Sequence, residues 1–259
     1  MNTQTKPWVK GHAAFYYEKS KPWVRGLAGM LFPPVCVQCR GLVEAGPYGH
    51  ICAACARQIE FVRPPHCTTC GHPYYGEVQG ERMCPHCQGL APAYREGRTA
   101  VLLKGPIRAM VHELKYHHGL HVMEDVTAIF RQVPALGEWV RGAVLVPVPL
   151  HPRKERERGY NQSQLLAECL VRIAGGGTQA AALLRRIEDT QSQTYHDRRT
   201  RLANLKNAFA LAPGAAITPA QHYLLVDDVF TTGSTLNSCA RVLRRTGCLN
   251  LDVLTFGHG

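Results

Sequence analysis

Residues 224–236 read Leu-Leu-Val-Asp-Asp-Val-Phe-Thr-Thr-Gly-Ser-Thr-Leu. The apolar run from Tyr223 to Val226 has no polar break and predicts a strand buried in a parallel sheet. Two adjacent carboxylates, Asp227 and Asp228, follow it, and a short hydroxyl-rich loop comes next. Beyond the loop, apolar residues recur at helical spacing and predict an amphipathic helix. These residues are Leu236, Cys239, Ala240 and Leu243. Strand, acidic pair, glycine loop and helix together place a ligand at the carboxyl end of a sheet.

The loop after the acidic pair has the composition of a phosphate site. It consists of Thr231, Thr232, Gly233, Ser234 and Thr235. Loop amides and the N-terminus of the next helix attract an anion, and the hydroxyl groups add donors. The phosphate-binding loop of nucleoside triphosphatases is excluded, because no Gly-Lys-Ser/Thr is present. Since carboxylates repel phosphate, we expect Asp227 and Asp228 to face sugar hydroxyls or a divalent cation. The alternative is a generic strand–turn–helix whose acids cap a helix or bind another metal.

This stretch resembles the phosphoribosylpyrophosphate (PRPP) motif of type I phosphoribosyltransferases. The resemblance implies that Asp227 and Asp228 hold the ribose hydroxyls. It also implies that the loop 231–235 holds the 5-phosphate, and that Mg²⁺ accompanies PRPP.

Composition limits the classes of partner. The chain has 259 residues, 45% of them hydrophobic, and a net charge of +11, which favours polyanionic partners. No run of about 18 apolar residues is present, so no membrane span is expected. The N-terminus also lacks the apolar region of a signal peptide. We therefore expect a cytoplasmic protein with reduced cysteines.

Four Cys-x-x-Cys pairs fall within residues 36–90. They are Cys36/Cys39, Cys52/Cys55, Cys67/Cys70 and Cys84/Cys87. Each pair offers two thiolates, and two pairs complete a tetrahedral four-cysteine zinc site, so we expect two structural zinc ions. We prefer sequential pairing, first with second and third with fourth, over a cross-braced arrangement. A disulfide framework is disfavoured by the expected compartment. Because eight thiolates fill two sites, the nearby His50, His66, His72 and His86 are expected not to be ligands.

Residues 1–35 form a basic and aromatic arm in which Trp8 and Trp23 lie among lysines. Such a mixture is able to stack bases and hold a phosphate backbone. We prefer the alternative that the arm is partly ordered and packs on the main body.

A second strand, Val144 to Val148, precedes a basic loop from Arg153 to Arg158. Asn161 is placed to cap a helix after this loop. The sequence of this region contains Pro147-Val148-Pro149, then Arg156-x-Arg158-Gly-Tyr-Asn-Gln, then Leu-Ala. It resembles the amidophosphoribosyltransferase-like ComF family, as does the later segment with Thr190-x-x-Gln193, Arg-x-x-Asn and Ala-Phe.

The ComF resemblance implies roles for the basic residues. Arg156 and Arg158 would face the pyrophosphate, although a solvated loop with internal Glu–Arg pairs is the simpler interpretation. Gln193 and Arg201 would belong to a mobile loop that closes over the diphosphate. Lys115 is suited equally to a phosphate contact and to a solvated helix face.

The resemblance also implies the architecture and the function. We expect an α/β fold, a type I phosphoribosyltransferase-like parallel sheet flanked by helices, with an N-terminal double zinc ribbon. The expected division is an arm at 1–35, ribbons at 36–90 and a phosphoribosyltransferase-like domain at 91–259. The implied function is PRPP binding together with natural competence and DNA uptake, handling single-stranded DNA with uptake or recombination proteins as partners. The alternative is an enzyme that transfers ribose 5-phosphate from PRPP to an acceptor that the sequence does not identify.

Overall fold

A computed structural model describes residues 33–75, 84–187 and 208–259. In these ranges a five-stranded sheet, parallel throughout, has the order β1-β7-β6-β2-β3, and β4 and β5 form a separate antiparallel pair. The strands are β1 (Gly97–Leu102), β2 (Val144–Pro147), β3 (Gln179–Ala180), β4 (Leu184–Arg186), β5 (Phe209–Leu211), β6 (His222–Phe230) and β7 (Asn250–His258). The arm to residue 32, and Gln193 and Arg201 of the expected closing loop, lie outside the described ranges.

Helices cover both faces of the sheet. They are α1 (Ala53–Ala56), α2 (Gly105–Tyr116), α3 (Met123–Arg131), α4 (Pro134–Trp139), α5 (Pro152–Arg158), α6 (Gln162–Ala174) and α7 (Ser234–Arg245). One hydrophobic core joins the sheet to α2, α3 and α6, and a second core joins it to α7. The expected α/β architecture is therefore confirmed. In the part of the chain described, no helix has both the length and the apolarity needed to cross a membrane.

The central strand β6 owes its position to its apolar run. Successive strand residues point to opposite faces. Leu224 and Val226 accordingly lie in the core with α2 and α6, whereas Tyr223 and Leu225 lie in the core with α7. The apolar stripe predicted for α7 is also buried. The strand continues past Val226 to Phe230, so the acidic pair lies within it, because β6 and β7 stay paired as far as Phe230 and His258.

The cysteine-rich segment packs on the sheet at the edge strand β1. Cys36 and Val37 of the first cysteine cluster contribute to the core with α2, while Cys67 and Leu90 contribute to the core with α7. The chain between the clusters runs along β1, where the Val62 amide donates to the Ala100 carbonyl at 2.9 Å. This pairing covers an edge that would otherwise expose unpaired backbone groups.

The segment from Arg153 to Arg158 was expected to be a loop, and this expectation is wrong, because residues 152–158 form the helix α5. Pro152 begins the helix with a preset φ, and an Arg153–Glu157 ion pair at 3.0 Å joins successive turns. Gly159, with a φ of +80°, ends it. None of the α5 residues is buried, so the sequence lacks the apolar periodicity that would predict this helix. The predicted cap of α6 is confirmed, since the Asn161 side chain accepts a hydrogen bond from the Ser163 amide at 3.0 Å.

Candidate functional site

The acidic pair of β6 lies at the carboxyl end of the sheet, beside the start of α6 and the end of α2. Asp227 is half-buried and lines a small cleft with the loop that follows β6. Asp228 is 6% exposed. Adjacent strand residues face opposite ways, so the two carboxylates have different neighbours.

Asp227 is held by hydrogen bonds. The Ser163 hydroxyl donates to Asp227 Oδ1 at 2.9 Å, and the Asp228 amide donates to the same oxygen at 2.9 Å. Burial, and then the charge of Asp228, raise the pKa of the Asp227 carboxyl to about 7. Asp227 therefore exchanges a proton near neutral pH, unless a cation arrives to favour its charged form.

Asp228 is held by a cation. The Lys115 Nζ lies 2.8 Å from Asp228 Oδ2, and three-quarters of the Lys115 side chain is buried. Lys115 comes from the last turn of α2, and Tyr160 supports that turn by donating its hydroxyl to the Leu114 carbonyl at 2.7 Å. The sequence around Lys115 is compatible both with a phosphate contact and with a solvated helix face. The structure places it directly on the acidic pair.

The loop after β6 leads into α7 through a left-handed residue. Gly233 has a φ of +69°, and a Cβ at this position would stand 2.6 Å from Phe230 Cζ. Glycine is therefore required both by the backbone conformation and by the packing. The Thr232 and Ser234 hydroxyls lie 2.8 Å apart. These groups, with Thr231 and Thr235, line the same cleft as Asp227, and the cleft lies at the N-terminus of α7.

The second cysteine cluster supports this loop from behind. The Leu90 side chain lies 2.9 Å from where a Cβ of Gly233 would stand. The Asn237 side chain of α7 accepts from the Ala93 amide at 2.8 Å and donates to the Ala91 carbonyl at 2.9 Å. Because residues 91–93 directly follow the second cluster, the cluster and the start of α7 are held together.

A chain of rings links the same cluster to the end of β6. Phe230 stacks on His258 with 5.2 Å between ring centroids. His258 contacts the rings of His72 and His86, at 4.9 and 4.8 Å, and these two residues flank cysteines of the second cluster. Sequence patterns did not indicate this packing, because His258 and the cluster are far apart in the chain.

Arg156 and Arg158 lie on α5 rather than in a loop. Arg156 is exposed, whereas the Arg158 guanidinium donates to the Gln162 side chain at the start of α6. The Arg158 carbonyl also meets His118 Nδ1 at 2.9 Å. Within the described ranges, neither arginine forms a hydrogen bond or ion pair with the acidic pair or the loop. Arg158 therefore contacts the start of α6, which carries Ser163, and His118, which lies just beyond the end of α2 and its Lys115.

The eight paired cysteines form two clusters in the sequential pairing that we preferred. The clusters are Cys36, Cys39, Cys52 and Cys55, and Cys67, Cys70, Cys84 and Cys87, each with its sulfurs within 4.8 Å of one another. The neighbouring histidines belong to neither set, as expected.

The spacing of the sulfurs fits a tetrahedral metal ion. Zn–S bonds of about 2.3 Å place tetrahedral sulfurs roughly 3.8 Å apart. The Sγ separations are 3.7 Å for Cys39–Cys52, 3.9 Å for Cys67–Cys87 and 3.5 Å for Cys70–Cys84. All eight are free thiols rather than disulfides. With four protein ligands in each set, no coordination position is left for substrate, so both sites are structural.

The fold and the site define a class of protein. It has a parallel α/β sheet whose central strand carries an acidic pair near its carboxyl end and is followed by a glycine loop, joined to two four-cysteine metal centres. A family model described as "Double zinc ribbon domain" matches residues 27–88. The chain is 30% identical to the DNA utilization protein YhgH of Salmonella typhimurium, over 85% of this chain and 95% of that protein. It is 28% identical to competence protein F of Haemophilus influenzae, over 84% of this chain and 94% of that protein. The chain belongs to the ComF family of competence and DNA utilization proteins.

A more distant relative and a solved structure extend the comparison. Competence protein ComFC of Bacillus subtilis is 25% identical over 80% of this chain and 83% of its own length. A hypoxanthine phosphoribosyltransferase from Staphylococcus aureus matches 51% of this chain and 62% of its own, with 17% identity and a TM-score of 0.32. A structural similarity this low supports no conclusion about the function of this chain.

Proposed function

We propose that this protein binds PRPP at the carboxyl end of β6 and takes part in natural competence and DNA uptake, where it handles single-stranded DNA. The observation that carries the PRPP assignment is the cleft that Asp227 shares with the loop 231–235. In this proposal Asp227 and Asp228 bind the ribose hydroxyls. The loop and the start of α7 bind the 5-phosphate.

The charges of the site support a ligand that carries both hydroxyls and phosphates. Carboxylate oxygens accept hydrogen bonds from sugar hydroxyls, and they suit Mg²⁺, which Asp227 and Asp228 would help to hold and which would offset the charge of the diphosphate. Lys115 already neutralises Asp228 at 2.8 Å. A hydroxyl or cation that arrives at Asp228 exchanges with the Lys115 ammonium, which then becomes available to the diphosphate. Arg156 and Arg158 are proposed to add charge on the same side.

Calorimetric titration of PRPP with Mg²⁺ tests the assignment. The zinc-loaded wild type is compared with Asp227→Asn/Asp228→Asn and with Glu124→Gln, an exposed acid on α3. Binding should be lost in the double variant and kept in the control. A folded wild type that binds no PRPP, or a double variant that binds it normally, would refute the assignment.

The DNA part of the proposal is supported by the family and by the charge. The relatives are named for competence and for DNA utilization, and this chain carries a net charge of +11. Binding to phosphates displaces counterions, so the affinity for single strands should fall steeply as salt is raised. Fluorescence anisotropy with a labelled oligothymidine at several salt concentrations measures this. Proteins of DNA uptake or recombination are the expected partners.

Ribosyl transfer is a second candidate function, and one observation favours it. The pKa of Asp227 is raised to about 7, which suits a general base near neutral pH. In such a reaction the bond from the ribose anomeric carbon to the diphosphate breaks and a bond to the acceptor forms. The acceptor proton then goes to the base. Release of pyrophosphate from PRPP that depends on an added nucleobase, and is lost in Asp227→Asn, would establish it.

A further inference from the structure

A groove of about 350 Å³ separates the first cysteine cluster from α2. One wall carries Val37, Gln38 and Arg40, which lie in and beside the first Cys-x-x-Cys pair. The other wall is residues 105–113 of α2, with Arg108 and His112 exposed. The groove is separate from the cleft at the loop after β6 and has no part in the proposed PRPP contacts.

The groove continues as a stripe along α2. Arg108, His112, Lys115 and Tyr116 are spaced at i, i+4, i+7 and i+8 and therefore share one helix face. From Arg108 to Lys115 the stripe covers about 10 Å at 1.5 Å per residue. Lys115 ends it at the acidic pair, 2.8 Å from Asp228. The stripe thus leads from the first cluster to the candidate ribose site.

Aromatic rings accompany the cations. The His112 ring lies 4.8 Å from the Tyr116 ring and 5.0 Å from the His117 ring, centroid to centroid. Tyr116 is 66% exposed, so its ring is accessible to a ligand. Proteins that bind single-stranded nucleic acids combine exposed aromatic rings with cations. The unpaired bases stack on the rings, and the phosphates pair with the cations.

The charge of the groove is favourable to a polyanion. Its one acidic lining residue, Glu113, is buried and already paired with Arg40 at 3.2 Å. Arg108 has no ion-pair partner among the described residues, so its charge is available to a ligand. The pair with Glu113 offsets the charge of Arg40, so the net positive charge of the groove is that of Arg108, and no carboxylate among the lining residues is left unpaired.

We propose that this groove and the stripe on α2 form the track for single-stranded DNA, with a phosphate on Arg108 and bases on His112 and Tyr116. This inference rests on the proposed function and adds the surface on which the DNA lies. The track ends at Lys115, so a bound strand reaches the acidic pair of β6. A duplex hides its base faces in the stack, which is why a single strand is the occupant.

The test compares Arg108→Glu, Arg108→Gln and Tyr116→Ala with Arg241→Glu, by anisotropy with labelled oligothymidine. Arg241 is an exposed residue of α7, on the other face of the sheet, so Arg241→Glu makes the same change of charge elsewhere.

Arg108→Glu should weaken binding at least tenfold, and Arg108→Gln should weaken it less. Arg108→Gln should also lower the slope of log affinity against log salt by about 0.7, the value for one lost phosphate contact. Tyr116→Ala should weaken binding about 5- to 150-fold without changing that slope. Arg241→Glu should stay within twofold of wild type.

The outcomes separate this inference from the function on which it rests. If wild type binds no single-stranded DNA, the DNA part of the proposed function fails and the track fails with it. If wild type binds but the α2 variants behave like Arg241→Glu, only the track is refuted. A duplex of equal length bound as tightly as the single strand would also overturn it. Titration with PRPP should be unchanged in Arg108→Gln, which shows that the variant is folded and that the two sites are distinct.

Discussion

The two adjacent carboxylates of β6 are chemically unequal because different groups hold them. Asp227 accepts hydrogen bonds from Ser163 and a backbone amide, and its pKa is raised to about 7. Asp228 instead has an ammonium group at 2.8 Å. Two identical residues in sequence therefore have different surroundings, and the carboxyl of Asp227 exchanges its proton near neutral pH.

The raised pKa of Asp227 makes stability depend on pH. Between its ordinary pKa of 3.8 and about 7, the folded state binds more protons than the unfolded state, so stability falls as pH rises. The fall is at most about 1.4 kcal/mol per pH unit for one group. We expect Asp227→Asn to flatten the decline in Tm between about pH 5 and pH 7.5 relative to wild type and to the exposed control Glu124→Gln. Differential scanning calorimetry across this range checks it. Parallel curves for wild type and Asp227→Asn would contradict it.

Gly233 is a second single residue on which the loop after β6 depends. Gly233→Ala should lower the free energy of unfolding by about 1–2 kcal/mol from the left-handed backbone alone. The clash with Phe230, at 2.6 Å, should add to this and displace the loop, weakening PRPP binding at least tenfold. Gly214→Ala is the matched control, since Gly214 has a φ of +76° with nothing within 4 Å of its Cβ position. Equal PRPP affinities for the two variants, measured by calorimetry, would show that the loop tolerates the side chain.

Between elements, the Lys115–Asp228 pair joins the end of α2 to β6. Asp228 is 6% exposed, so removing its cation leaves a buried charge without compensation. Lys115→Met should therefore cost about 1–3 kcal/mol of stability. The double variant Lys115→Met/Asp228→Asn should recover part of this loss.

A double-mutant cycle by urea denaturation measures the coupling between the two side chains. We expect it to be at least about 1 kcal/mol, since residues in one ion pair couple by roughly 0.5–3 kcal/mol. Additive losses would mean that the pair contributes nothing beyond its separate side chains. Lys115→Arg, which keeps the charge on a longer side chain, should lose less than Lys115→Met.

Across the whole molecule, the two cysteine clusters serve opposite faces of the sheet. The first packs into the core with α2, and the Asp125 side chain of α3 secures it by accepting the Gly49 and His50 amides at 2.6 and 2.8 Å. The second packs into the core with α7, behind the loop 231–235. Each metal centre therefore supports a different candidate surface.

Loss of one metal at a time should separate the two binding activities. Cys84→Ser should remove the second zinc ion and weaken PRPP binding at least tenfold, because Leu90 and residues 91–93 no longer hold the start of α7. Cys39→Ser should remove the first ion and weaken binding to single-stranded DNA while leaving PRPP affinity within about threefold, since metal binding supplies the folding free energy of each ribbon. Metal analysis should give two zinc ions for wild type and one for each variant. Equal effects of the two variants on PRPP binding would contradict this division of roles.

Much of this molecule follows from local sequence. An apolar run without polar breaks is able to lie only where both faces are covered, so β6 was predictable from Tyr223 to Val226. The spacing within each Cys-x-x-Cys pair sets the geometry of two ligands, and the two clusters were predictable from it. The helix α5 was missed because a charged run with no buried residue carries no periodic signal.

Local sequence patterns could not predict which side chains contact the acidic pair. Ser163 lies 64 residues before Asp227, and Lys115 belongs to a helix whose exposed and buried cations look alike in sequence. The groove beside α2 exists only because the first cluster docks on that helix. Strands, caps and metal ligand sets depend on neighbours a few residues away, so the chain alone encodes them. Contacts between distant segments depend on how the cores pack, and this packing determined which cation meets Asp228 and which surface stays open to a ligand.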